Sequence, residues 1–547
     1  MPNLVDTPCL SVLTMDNIPE EISLRNLAEN PQRYRCLYLY SPLAETAILI
    51  TLAALFADAV NLDLPNESVD ERYVVAQRSP DEVADAVLAY LDAHYDMFEL
   101  DPSLTTVPFM QSRDAITTST DKGYMLVEYG SMERQLPLPP SVVIGNLLAT
   151  NLASLGGITT PATGDPRTGG AKDSKGNPKP AVQGGKFYGT PVCPLSVHQT
   201  FLTVRTTLFD TIRANISKSM VGDFAGTPYW RMREEQRPDA YGTGGSPVDT
   251  VLYYLTAPYR MIRLVFHGDG GVVSATSTPG VVHPGLGSDE TRRLVREFSP
   301  YAVVSMYKDT PALINPNPSG DLADLKNFLM APATSSGKLA LPAVLSDILS
   351  LEDEGDDGDT ITELLNDIRV RSLTTSTDSK ATKYTEVSSV EVSFDIRSLN
   401  IPDAFSTFAL AITTAAEART FYMHAVSDVT LGVSKTETQS ANTFEGMLSP
   451  LLRKFVASIH PNSDLVEKER EWQNLLKTTA ATAFDKFAMS LPRSTLHIYT
   501  GPGLMRNGRK ETPKTVSAAR GRFLYRVNGL FETHDTNAKP KTKKGKK

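Results

Sequence analysis

The sequence predicts an α+β protein: a large mixed α/β N-terminal domain over residues 1–400, a C-terminal four-helix bundle over 401–532, and a basic disordered tail over 533–547. Three observations carry that prediction. At 547 residues the chain exceeds one ordinary core, and a prior of about 150 residues per domain implies more than one. Two segments alternating at period two, "IRVRSLT" (Ile368–Thr374) and "VEVSFDI" (Val390–Ile396), read as strands flanking a projecting hairpin loop, "TSTDSKATK". From Pro402 the pattern turns helical, in four segments over roughly 403–432, 441–460, 463–490 and 514–532, broken by Gly432, Pro461, Pro492 and "TGPG".

The elements follow in chain order. The most apolar run, Leu43 to Val60, carries Glu45 and Asp58 and falls short of the roughly 20 apolar residues a bilayer span needs, so it reads as a buried helix with Ser41 as N-cap and Pro42 at N1. "SPDEVADAVLAYLDAHY" starts a second helix, with Ser79 as cap, Pro80 at N1 and Glu82 closing a capping box. Its Val83, Val87, Tyr90, Leu91 and His94 share one face at helical spacing. "PSVVIGNLLATNLASLGG" predicts a helix from Pro140 or Ser141 stopped by Gly156, and a further helix is expected over Leu195–Ile212. Between them lies Gly156 to Gly189, rich in Gly, Pro and Lys, whose five basic residues face only Asp165 and Asp173. A loop of that length inside a compact domain is either functional or a floppy insertion. In the third C-terminal segment Trp472, Leu475, Leu476, Phe484 and Phe487 mark a core face.

Composition excludes several classes. With 41% hydrophobic and 21% charged residues the body matches an ordinary globular protein, not a disordered or membrane one. Cys9, Cys36 and Cys193 form no CxxC pair, which argues against a disulfide framework or zinc ribbon, and with no secretory signal in "MPNLVDTPCLSV" a reducing cytoplasm is expected. The formal charge of −9 is unevenly spread: Arg506 to Lys547 holds thirteen Lys and Arg against three acids, leaving −19 for residues 1–505. Any nucleic-acid contact in the body must therefore come from local patches.

Catalytic constellations are missing from the sequence. The eight histidines form no HExxH or other zinc-spaced pair. "HGDGG" from His267 has no GxSxG nucleophile elbow to serve, and in "GDPRTGG" Gly170 stands where a phosphate loop needs lysine. In the acidic run from Asp353, Gly355 and Leu364 replace two EF-hand ligands. No enzyme activity and no cofactor are expected.

The stretch "YLDAHYDMFELDPSLTTVPFMQ" (Tyr90–Gln111) instead spends aromatics around a proline-bracketed turn. Together with "NLVDTPCLSV", "ISLRNLAEN", "PLAETAILITLAALFADAV", "GTPVCPLSVHQTFLTVRTTLF" and "TPYWRMREEQRPDAYGTGGSPVDTVLYYLTAPYRMIRL", in that order, it resembles the large subunit of the type I-E CRISPR surveillance complex, Cascade: the CasA family. The resemblance spans essentially the whole chain, although Cys9 stands where a tryptophan is common. It makes Phe98, Pro108 and Phe109 a structural knot, not a pocket.

The resemblance implies a non-catalytic protein that recognises the protospacer-adjacent motif in double-stranded DNA through the minor groove, promotes duplex opening and R-loop formation, and recruits a trans-acting helicase–nuclease. Its partners would be target duplex, displaced single-stranded DNA, guide RNA and the other Cascade subunits, with no membrane. Base pairing with guide RNA reads the target, so the protein needs only shape and a few groove contacts. Carried over by position, the DNA-binding glycine loop begins at Gly156 and Gly157, ahead of an insertion longer than the family pattern. The basic finger falls near "DETRRLVREF"; Glu290 occupies the usual lysine position, so Arg292 or Arg293 substitutes or the finger is absent. The wedge hairpin carries Ser379, Lys380 and Ala381 at its tip, with Lys380 in place of an amide. Tyr129 is either the aromatic that anchors the subunit in the complex or a core residue. Arg506, Arg509, Arg520, Arg522 and Arg526 are candidate contacts to the displaced strand. The competing readings are a free-standing DNA-binding scaffold, the large subunit of another CRISPR subtype, or a hydrolase assembling Ser246 and His267 across domains.

Overall fold

The computed structural model describes residues 3–39, 41–99, 139–153, 199–232, 250–257, 260–266, 272–279, 298–307, 310–313, 341–351, 365, 367–377, 384–430, 434–491, 504–506, 509–511 and 515–531. These fall in two compact units, one running up to Glu391 and one from Val392. The chain is mixed helix and strand, as the sequence predicts, with a helical C-terminal region.

The first unit opens with an antiparallel sheet of β1 (Leu10–Thr14), β2 (Pro19–Ile22) and β3 (Tyr34–Leu37) in the order β2-β1-β3. Asn17 makes the β1–β2 turn at φ 61°, a left-handed conformation that asparagine tolerates. Next comes α1 (Leu24–Glu29), entered through a capping box between Ser23 and Asn26.

The centre of the unit is α2 (Pro42–Asp63). It starts as the sequence predicts: Ser41 accepts a hydrogen bond from the Ala44 N–H and Pro42 occupies the first turn. At 22 residues it is long and apolar enough to cross a membrane, yet 89% of its most apolar window is buried inside the protein. It is hydrophobic on all sides because it is surrounded on all sides. The helices α3 (Val69–Arg78), α4 (Pro80–Ala93) and α5 (Pro140–Leu152) pack against it. Gly145 permits the close approach of α5, since a Cβ there would sit 3.3 Å from that of Ala44.

Two local expectations fail here. Ser79 makes no side-chain cap bond to α4, so the box with Glu82 does not form. Ser79 also closes α3, and that double duty leaves its ψ at 75°, outside the extended range an N-cap needs. The box in this region is Ser68 with Glu71, opening α3. The α5 helix closes at Leu152 with Ala153 as C-cap, ahead of Gly156.

A larger correction concerns the helix expected over Leu195–Ile212. Its centre is a strand, β4 (Gln199–Val204), and only α6 (Leu208–Ala214) is helical, begun by the Thr207 hydroxyl accepting from the Asp210 N–H. Further along lie α7 (Lys218–Val221), α8 (Val251–Thr256), the antiparallel pairs β5 (Arg260–Phe266) with β6 (Val272–Pro279) and β7 (Val304–Tyr307) with β8 (Thr310–Leu313), and α9 (Ala343–Ser350). The unit ends in β9 (Ile368–Thr377) and β10 (Tyr384–Val392), which form a sheet with β4 in the order β10-β9-β4. The first predicted strand is thus present and longer. The second sits earlier than "VEVSFDI", because Phe394 and Ile396 turn inward as core residues of the second unit, Phe394 against Phe408 with ring centroids 5.3 Å apart.

In the second unit α10 (Pro402–Thr430) packs against each of α11 (Ser434–Ala457), α12 (Leu465–Ser490) and α13 (Val516–Gly529); a short pair, β11 (Leu504–Arg506) and β12 (Arg509–Glu511), precedes α13. The core is aromatic. Tyr422 stacks on Phe444 at 4.6 Å and meets Phe484, Phe487 and Phe523 edge-on. Trp472, Leu476, Phe484 and Phe487 are buried as the periodicity requires, with Leu475 half-buried at the margin.

Candidate nucleic-acid interface

The sheet β10-β9-β4 holds the two strands on either side of the predicted hairpin loop, together with the strand that follows the glycine-rich stretch in the chain. Gln199 pairs with Leu373 and Val204 with Ile368, so the start of β4 lies beside the half of β9 that runs out toward Thr377. β4 therefore begins at the end of the sheet toward which β9 runs out. Across β9 and β10, Arg369 bonds Glu391 at 2.7 Å and Arg371 bonds the Ser389 hydroxyl at 2.8 Å.

Arg371 also reaches out of the sheet. Its two terminal nitrogens donate to the two carboxylate oxygens of Glu45, in the first turn of α2, at 2.6 and 2.8 Å. Burial works against the guanidinium's charge, but the Glu45 bonds outweigh it and hold the group's pKa above its ordinary value. A planar fork with three fixed acceptors leaves the middle strand little freedom to tilt.

A second polar network joins two of the motifs read from the sequence. Asp58, wholly buried in α2, accepts from Arg231 at 2.8 and 2.9 Å and from the Tyr90 hydroxyl at 2.8 Å. Tyr90 in turn accepts from the Trp230 indole at 2.8 Å. Burial pushes the Asp58 carboxyl above its usual range, against the opposing pull of Arg231 and Tyr90. Burial likewise raises Tyr90 and lowers the neighbouring His94, whose ring meets Tyr90 edge-on at 4.7 Å. The aromatic turn beyond α4 is a knot at Phe98, fully buried, whose carbonyl accepts from the Leu4 N–H. Pro108 and Phe109 lie outside the described residues. "YLDAHY" and "PYWR" are thus two halves of one buried joint.

On α13, Ala519, Phe523 and Val527 face the core. Arg520 forms a two-pronged pair with Asp485 at 2.7 and 3.0 Å, Arg522 reaches Asp428 at 3.2 Å, and the Arg526 guanidinium lies 5.5 Å over the Phe421 ring. Arg506 and Arg509 are paired across β11 and β12, with side chains outside the description. Gly156, Gly157, Tyr129, Arg292, Arg293, Ser379, Lys380 and Ala381 lie outside the described residues, as do Ser246 and His267. Among the described residues no group of three or more His, Cys, Asp or Glu could hold a metal ion. Sequence reasoning missed Glu45–Arg371 and Asp58–Arg231; the one available signal was an acid set in an otherwise apolar helix.

Comparison with known proteins places this geometry in a family. The model for CRISPR-associated protein Cse1 matches residues 3–483. Thermobifida fusca Cse1 shares the fold at TM-score 0.70 and 19% identity, covering 97% of this chain and 98% of that one. Cse1 from Acidimicrobium ferrooxidans does so at TM-score 0.70 and 18% identity, covering 97% and 99%. A chain of a CRISPR RNA-guided surveillance complex matches at TM-score 0.66 and 14% identity, covering 96% and 99%. No curated protein matches the chain. With a family model spanning most of its length and the same fold over nearly all of it, the chain belongs to the CRISPR-associated Cse1 family, the CasA large subunits of Cascade surveillance complexes.

Proposed function

We propose that this subunit, within a cytoplasmic RNA-guided complex, recognises the protospacer-adjacent motif of double-stranded DNA through the minor groove, starts duplex opening beside it, and hands the opened target to a trans-acting helicase–nuclease. It performs no bond chemistry itself. Gly156 and Gly157 let backbone approach the groove, Arg292 or Arg293 supplies a cationic contact, and Ser379, Lys380 and Ala381 form the wedge. Tyr129 anchors the subunit among its partner subunits and guide RNA, and Arg506, Arg509, Arg520, Arg522 and Arg526 accompany the displaced strand.

One observation supports this reading: β9 and β10, the strands on either side of the hairpin loop assigned to opening, form one sheet with β4, and β4 begins at the end of that sheet toward which β9 runs out. The cross-strand pairs Arg369–Glu391 and Arg371–Ser389 are both centred on position 380, which supports Lys380 at the hairpin tip. Insertion there offsets part of the few kcal/mol that unstacking a base step costs. The test uses the assembled complex with guide RNA. Gly156→Asp or Gly157→Asp is expected to weaken binding to duplex and to a pre-melted bubble alike, because bulk and negative charge meet the groove before any opening. Unchanged binding by both variants in a gel-shift titration would remove the glycine loop from recognition.

A further inference from the structure

The outward side of α13 holds an aromatic that no part of the reading above uses. Tyr525 is 77% exposed and makes no hydrogen bond or ring contact among the described residues. Arg522, Tyr525 and Arg526 stand at helical positions i, i+3 and i+4, which makes their side chains one contiguous patch. The Arg526 guanidinium is held over Phe421 without a carboxylate partner among the described residues, so its N–H groups remain available. Arg522 shares its charge with Asp428 and is still half exposed.

We propose that Tyr525 is a stacking platform for an unpaired base, with Arg526 and Arg522 holding the phosphates on either side: a sequence-tolerant site for single-stranded nucleic acid. This rests on the reading of the chain as a DNA-handling subunit and assigns the arginine surface of α13 its base contact. The two arginines are one helical turn apart, about 6 Å along the axis, a separation comparable to that of successive phosphates in an extended strand. An aromatic set between two guanidiniums suits a strand, whose bases all present a π-face to stack. A protein partner would need an apolar rim around the ring. The other exposed large hydrophobic residues on the helices of this unit, Val466 and Met489, lie near opposite ends of α12 and form no such rim with Tyr525.

The experiment titrates the full chain against a fluorescent single-stranded oligo-dT and a duplex of equal length, at several salt concentrations. Tyr525→Ala is expected to weaken single-strand binding about tenfold, leave duplex binding unchanged, and leave the salt slope unchanged, because stacking releases no counterions. Tyr525→Phe keeps the ring and binds like the parent. Arg522→Ala with Arg526→Ala flattens the salt slope, by about 0.7 for each phosphate no longer neutralised. The proposal is overturned if Tyr525→Ala binds single strands like the parent, if it loses duplex equally, if its defect appears only in assembly with a protein partner, or if the parent chain binds no single strand. Should the arginine pair matter and Tyr525 not, the strand path stands and the stack falls; should neither matter, the path itself is wrong.

Discussion

Arg371 and Glu45 meet through two parallel hydrogen bonds of 2.6 and 2.8 Å, tying the middle strand of the sheet β10-β9-β4 to the first turn of the core helix α2. The pair joins residues 326 positions apart and is mostly shielded from solvent, with side-chain exposures of 14% and 23%. Removing one partner leaves the other shielded and unpaired. Arg371→Ala is expected to cost about 3 kcal/mol in urea denaturation of the free subunit, near the lower end for a broken buried pair. Adding Glu45→Gln to it should cost little more, because the stranded charge is gone. Fully additive losses would show that the pair is screened and does not hold the strand.

Tyr422 stands at the centre of the aromatic core of the C-terminal unit with its hydroxyl buried and without a hydrogen-bond partner among the described residues. Burial pushes that phenol upward in pKa and its O–H forfeits water without replacement. Tyr422→Phe keeps every ring contact and removes the unpaired group. It is expected to raise stability by about 1 kcal/mol, read as a higher denaturation midpoint. A loss of stability would reveal a partner for the hydroxyl.

Asp347 accepts a hydrogen bond from the Lys218 N–H at 2.8 Å, yet burial pushes its carboxyl up to about 6. The folded chain therefore holds this proton across a pH range in which the unfolded chain has released it. Its contribution to stability is fully present below the ordinary carboxylate range and is lost as pH rises through about 6. Asp347→Asn keeps an acceptor and cannot ionise, so it should match the parent near the acid end of that window and exceed it above, by on the order of 2–3 kcal/mol. Thermal melts of parent and variant on either side of the window check this; parallel pH profiles would refute it.

How far the sequence could be read depended on how local each signal was. Ser41, Pro42 and the apolar run after them are neighbours, and α2 begins where they place it. The same holds for the α4 face, where Val83, Val87, Tyr90 and Leu91 are buried at helical spacing. Residues 195–212 misled because Phe201, Leu202, Leu208, Phe209 and Ile212 satisfy a helical spacing as well as a strand followed by a helix. What decides for the strand is its partner β9, whose Leu373 pairs with Gln199 from far along the chain. Asp58 was visible as an oddity in an apolar helix, but Arg231, 173 residues away, was not. The glycine loop, finger and wedge were read from the order of motifs in a resemblance, and the family match bears out that resemblance.

The most direct measurement is the rate of strand opening by the assembled complex on matched duplex and bubble targets carrying the same motif, followed by 2-aminopurine fluorescence or permanganate footprinting. Ser379→Ala with Lys380→Ala should slow opening of the duplex while leaving binding to the bubble nearly unchanged, because a wedge matters only where base pairs must still be broken. Equal losses on both targets would make these residues mere backbone contacts, and no loss on either would contradict an opening role for the hairpin.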